Sequence, residues 1–95
     1  MKLMVLSKED KWKEHEKKVN EESEELVEAI EEGDMSHIAE EALDNIQVSI
    51  GVLDKLYSEG VDIQDAVHMH NKKLVGRGWK HKAVVKVQVN KKWLK

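Results

Sequence analysis

Two long apolar stripes at three- and four-residue steps, each followed by a glycine, constrain this chain more than any other feature. In the first, Trp12, Val19, Ser23, Leu26 and Ile30 fall on one helical face, and Gly33 stands where such a helix would stop. The second reads Met35, Ala39, Leu43, Ile46, Ile50, Leu53 and Tyr57, with Gly60 just beyond. Ser7 with Asp10 resembles a capping box, so the first helix is predicted from about Lys8 to Glu32. Asp34 or Ser36 caps the second, which runs to about Ser58. Because only Gly33 and Asp34 separate them, the two helices should fold back as an antiparallel hairpin. Gly51 inside the second helix costs about 1 kcal/mol against Ala, which predicts a close helix crossing there.

Asp62 with Asp65 marks a third N-terminus, for a helix through about Leu74 that breaks at Gly76 and Gly78. The period then changes. Val85, Val87 and Val89 alternate with Lys86 and Gln88, which reads as a short strand, paired with Leu3 to Leu6 or with the same segment of another subunit. The expected architecture is therefore all-α: a hairpin over about 8–59, a third helix over about 62–79, and a short C-terminal β-strand or basic tail over 80–95. There is no Pro and no internal repeat, so 1–95 reads as one domain.

A chain of 95 residues buries only roughly 60–65 % of its unfolded surface. With no Phe, three Trp and one Tyr, its core has to be aliphatic and is marginal, and oligomerisation would supply the missing burial. The absence of Cys excludes disulfides and thiolate zinc sites. The stretch Leu3-Met4-Val5-Leu6 is too short for a signal peptide or a membrane span. A cytoplasmic protein without membrane association is expected.

The chemistry is carried by acids. Glu22-Ser23-Glu24-Glu25 and Glu41-Ala42-Leu43-Asp44 each place two carboxylates at i and i+3, on the shoulder of an apolar stripe. Packed side by side, the hairpin helices would bring Glu22, Glu25, Glu41 and Asp44 together. Two unit charges about 4 Å apart interact by roughly 4 kcal/mol at an effective dielectric of about 20, so four ionised carboxylates require a counter-ion. Mg²⁺, or Mn²⁺ in its place, suits an all-oxygen site and also holds phosphate oxygens. For one such pair alone, a solvated acidic helix face is the simpler reading.

The net charge of −3 conceals a polarised chain. Residues 1–65 hold nineteen acids and seven Lys, a balance of −12, whereas residues 66–95 hold nine Lys or Arg and no acid, a balance of +9. An acidic metal-binding part followed by a basic part suits a phosphate-ester substrate, with cations meeting the oxygens that a metal leaves uncovered. A nucleic-acid role for residues 72–95 rests on charge alone, and the acidic remainder would repel the same backbone.

These motifs resemble the all-α nucleoside triphosphate pyrophosphohydrolases, the MazG-like superfamily that also takes in dimeric dUTPases and phosphoribosyl-ATP pyrophosphatases. The run from Lys18 through Glu22-Ser23-Glu24-Glu25-Leu26 is similar to the family's first metal helix, Ile30 to Asp34 to the turn after it, and Glu41-Ala42-Leu43-Asp44 to its ExxD. His70-Asn71-Lys72-Lys73-Leu74-Val75-Gly76-Arg77-Gly78-Trp79 is similar to the lysine and arginine segment of phage and bacterial MazG-like proteins. One departure is Leu74, where many members have Asn directly after the helix-three lysine; Asn71 is the nearby amide. The resemblance implies four-helix packing built by dimerisation, Mg²⁺ dependence, and cleavage between the α and β phosphates of a nucleoside triphosphate to give a monophosphate and pyrophosphate.

On this reading Glu22, Glu25, Glu41 and Asp44 are the metal ligands and catalytic carboxylates. Lys73 and Arg77, at i and i+4, bind phosphates, Arg77 being suited to bidentate contact. Asn71 and Trp79 complete the substrate contacts, Trp79 by stacking on a base or by closing a hydrophobic corner. Glu21 lies about 100° around the helix from Glu22 and takes an outlying role, Lys18 is an ion-pair or phosphate residue, and Trp12 belongs to the core. His68 and His70 are two apart and do not share a helix face, which disfavours histidine ligation. A homodimer or homotetramer is expected. The alternative is a catalytically silent MazG-like module that binds a nucleotide or another protein.

Overall fold

The computed structural model describes residues 2–86, and within them three helices follow one another: α1 (Trp12–Glu32), α2 (Met35–Ser58) and α3 (Ile63–Gly76). The two-residue connection between α1 and α2 works because Gly33 adopts φ 82°, a left-handed conformation open to glycine at no steric cost. Asp34 then caps α2, its Oδ1 accepting from the backbone N–H groups of Ser36 at 3.1 Å and His37 at 3.4 Å. Asp62 does the same for α3, accepting from Asp65 N–H at 2.9 Å. An antiparallel α1–α2 hairpin results, with α3 packed on α2. No helix among the described residues is long and apolar enough to cross a membrane.

Three expectations change. First, α1 starts at Trp12 rather than near Lys8. The Asp10 carboxylate is taken by Lys8 Nζ at 3.0 Å, and Glu14 Oε1 accepts from Lys11 N–H at 2.8 Å in its place. The preceding segment runs beside α2 instead, where Gln47 Nε2 donates to Met4 O at 2.6 Å. Leu3 to Leu6 form no strand.

Second, the apolar stripes are only partly the face that the hairpin buries: Leu26, Ile50 and Leu53 are half-buried and most of the rest are exposed. Ile30 is 58 % exposed, Met35 74 % and Leu43 50 %, and Trp12 is an exposed ring rather than core. Among the described residues only Ala29 and Ile63 are buried apolar side chains. On α1 the inward line is His15, Glu22 and Ala29, at seven-residue steps, one position around the helix from the predicted stripe. Third, Val85 lies in irregular backbone, while Val87 and Val89 of the expected strand lie outside the described residues.

Candidate functional site

The antiparallel register decides what meets across the hairpin. His15 of α1 lies against Gly51 of α2, where a Cβ would come 3.5 Å from His15 Cε1. Seven residues onward on α1 and seven back on α2, Glu22 reaches Asp44, so the same register that packs a ring on a glycine pairs two acids. Glu41, three residues before Asp44 and on the same helix face, completes the group. Glu22, Glu41 and Asp44 each offer a carboxylate oxygen within 4.8 Å of the others.

Asp44 is exposed, whereas Glu22 and Glu41 are not solvated in the ordinary way. Glu22 Oε2 and Glu41 Oε2 are shielded from solvent and neither has a hydrogen-bond partner. The Glu41 side chain is 13 % exposed, and its other oxygen faces His37 Nε2 at 3.4 Å. Burial raises the Glu22 carboxyl above its ordinary value of 4.5; the charge and close carboxyl of Glu25 and the charge of Asp44 add to the rise, and Lys18 opposes it. Glu41 is raised in the same way, by burial first and then by Glu25 and Asp44, with His37 opposing. Glu25 thus acts on both from beside the three that lie within 4.8 Å of one another. An unpartnered buried carboxylate oxygen carries a desolvation cost that a cation can offset, and an all-oxygen donor set is the kind that a hard divalent ion takes.

Residues 12–84 match the MazG nucleotide pyrophosphohydrolase domain. The chain belongs to that family. No curated protein and no solved structure matches it.

Within this MazG domain the predicted substrate residues lie apart from the carboxylates. Asn71 and Lys73 are on α3 and Arg77 is its C-cap residue. Asn71 and Trp79 line a groove of about 940 Å³ with Leu53, Ile63 and Leu74. Lys73 and Arg77 are not among its lining residues, and this groove shares none with the one that holds Glu22 and Asp44. Lys18 pairs with Glu21 at 3.4 Å on the exposed flank of the site. The site of the MazG domain also includes two histidines that the sequence reading passed over. His37, bridging toward Glu32 at 3.8 Å and Glu41 at 3.4 Å, was legible as an i,i+4 partner of Glu41. His15 had no such local signal.

Proposed function

We propose that the protein is a nucleoside triphosphate pyrophosphohydrolase dependent on Mg²⁺ or Mn²⁺, cleaving the α–β phosphate bond to release a monophosphate and pyrophosphate. The observation that carries this reading is the pair of secluded, unpartnered oxygens of Glu22 and Glu41 beside Asp44, in a chain of the MazG family. Glu22, Glu25, Glu41 and Asp44 would hold the ion. When bound, such an ion neutralises charge on phosphoryl oxygens and lowers the pKa of a water it holds.

The chain's own residues then have distinct tasks. The four carboxylates would hold the triphosphate's counter-ion beside the groove that Glu22 and Asp44 line, and one of them would accept the proton of the attacking water. His37 holds Glu41 from one turn away and keeps its carboxylate turned toward Glu22. Lys73, Arg77, Asn71 and Trp79 belong to the same proposal as substrate residues supplied across a homodimer, since α3 of one copy lies apart from its own carboxylates. On the same proposal the activity is cytoplasmic.

A screen of canonical and modified nucleoside triphosphates with Mg²⁺ or Mn²⁺, with products separated by chromatography, tests the reading. Monophosphate and pyrophosphate are expected from at least one substrate. Orthophosphate with a diphosphate would overturn the assigned bond, and inactivity throughout would leave a binding module.

A further inference from the structure

The carboxylate site opens into a groove of about 690 Å³ between α1 and α2, one end formed by Glu22 and Asp44. That volume falls within the roughly 300–1,000 Å³ of small-molecule sites. One wall is a single line: Lys18 and His15 of α1 and its N-cap residue Lys11 stand four, seven and eleven residues before Glu22. At 1.5 Å per residue these positions lie about 6, 10 and 16 Å along the helix from the carboxylates. A triphosphate anchored at Glu22 has Lys18 one turn away, within reach of its phosphate oxygens. Beyond Lys18 the walls change character: Val48, Leu6 and Gly51 are apolar, and His15 presents the aromatic ring of the groove.

His15 is held in place from two sides. Its ring packs on α2 at Gly51, where an added Cβ would lie in ordinary contact 3.5 Å from His15 Cε1 and a longer side chain would meet the ring. Trp12 contacts it at 5.7 Å between ring centroids with the planes inclined by 53°, a tilted contact. Trp12 is in turn held by Lys55 Nζ, 5.2 Å from its ring centre. Lys11, Asp54 and Ser58, with Glu9 and Asp10, also line the groove and supply polar groups. A preorganised ring at the second turn from a phosphate anchor is suited to a flat, polar-edged heterocycle.

We propose that the sugar and base of the substrate lie along this α1–α2 groove, with the base packed on His15, which makes His15 and Gly51 determinants of specificity. The inference rests on the pyrophosphohydrolase reading for its anchor, so its test uses a ligand that shares the anchor and lacks the nucleoside. Binding of α,β-methylene analogues of the four deoxynucleoside triphosphates, and of inorganic tripolyphosphate, is measured by calorimetry on the full chain with Mn²⁺. At least one analogue should bind wild type more tightly than tripolyphosphate does. His15→Ala should weaken that analogue by about tenfold, as expected for the loss of one base–aromatic stack, leave tripolyphosphate within twofold, and be rescued by His15→Phe. Gly51→Leu, which drives a branched side chain into the space of the His15 ring, should produce the same selective loss with a retained helical spectrum. Equal losses for both ligands, or none in either variant, would overturn the groove assignment. Wild type that binds tripolyphosphate as tightly as every analogue would overturn it while leaving the anchor intact, and wild type that binds none of them overturns both.

Discussion

At the scale of single residues, the decisive property of the site is that Glu22 and Glu41 are held where their charge is disfavoured. Removing one charge should therefore stabilise the metal-free protein while destroying the cation site. Glu41→Gln is expected to abolish turnover and to melt higher than wild type in EDTA. A divalent ion at a hundredfold excess over its dissociation constant stabilises a protein by about 2.7 kcal/mol, and Mn²⁺ should raise the wild-type melting temperature accordingly and that of the variant less. Parallel melting curves and unchanged turnover would return these acids to an ordinary surface. The same raised carboxyls set a pH dependence. Both are raised from 4.5 in the folded state, so folded protein binds protons more tightly than unfolded chain. Their contribution is most favourable below about 4.5 and is lost as pH rises through the folded values. Urea midpoints measured in EDTA should fall over that window in wild type and stay flatter in Glu22→Gln/Glu41→Gln. Added Mn²⁺ should remove the fall.

At the scale of the elements, the hairpin depends on a connection of two residues. Gly33 at φ 82° cannot take a Cβ without entering the left-handed region, which costs an L-residue roughly 1–2 kcal/mol. Gly33→Ala should destabilise by about that amount in equilibrium urea unfolding. Because the turn sets the register that places Glu22 opposite Asp44, it should also lower Mn²⁺ affinity. Asp34→Ala removes the α2 cap and should cost about 0.5–2 kcal/mol. Gly51 behaves in the opposite sense: a Cβ there meets His15 Cε1 at an ordinary 3.5 Å, and Ala gains helix propensity of about 1 kcal/mol. Gly51→Ala should therefore raise the urea midpoint, and a lowered midpoint would show that the helices need to approach more closely than this contact implies.

At the scale of the whole molecule, one chain leaves its apolar stripes open. Ile30, Met35, Leu43 and Ile46 are between 47 % and 74 % exposed, while Ala29 and Ile63 are the buried apolar residues described. Soluble monomers rarely leave contiguous apolar surface of this kind uncovered, which supports association through the outer face of the hairpin. Light scattering coupled to gel filtration should give at least twice the 11.0 kDa of one chain. Ile46→Glu should lower that mass toward a monomer and reduce turnover with it. A wild-type monomer at micromolar concentration would contradict both the dimer and the supply of Lys73 and Arg77 by a second copy.

What the chain encodes locally was legible, and what depends on helices meeting was not. Gly33, Asp34 and Asp62 end or start helices through their own φ or through hydrogen bonds two or three residues away, so reading along the sequence located the hairpin turn and the starts of α2 and α3. The two ExxE/D pairs were equally plain, because i and i+3 share a face in any helix. The start of α1 was harder, since Asp10 and Glu14 are rival caps of similar local merit; the outcome follows the segment that Gln47 holds against α2. Which face turns inward depends on the rotation of α1 against α2, a sum of many weak contacts between residues distant in sequence. A shift of one position around the helix separates the stripe of Val19, Leu26 and Ile30 from the line of His15, Glu22 and Ala29. That rotation placed carboxylates inside the hairpin, set His15 on Gly51, and left α3 away from the acids. Only the tertiary structure could decide it, because periodicity reports that a helix has an apolar side without reporting which neighbour covers it.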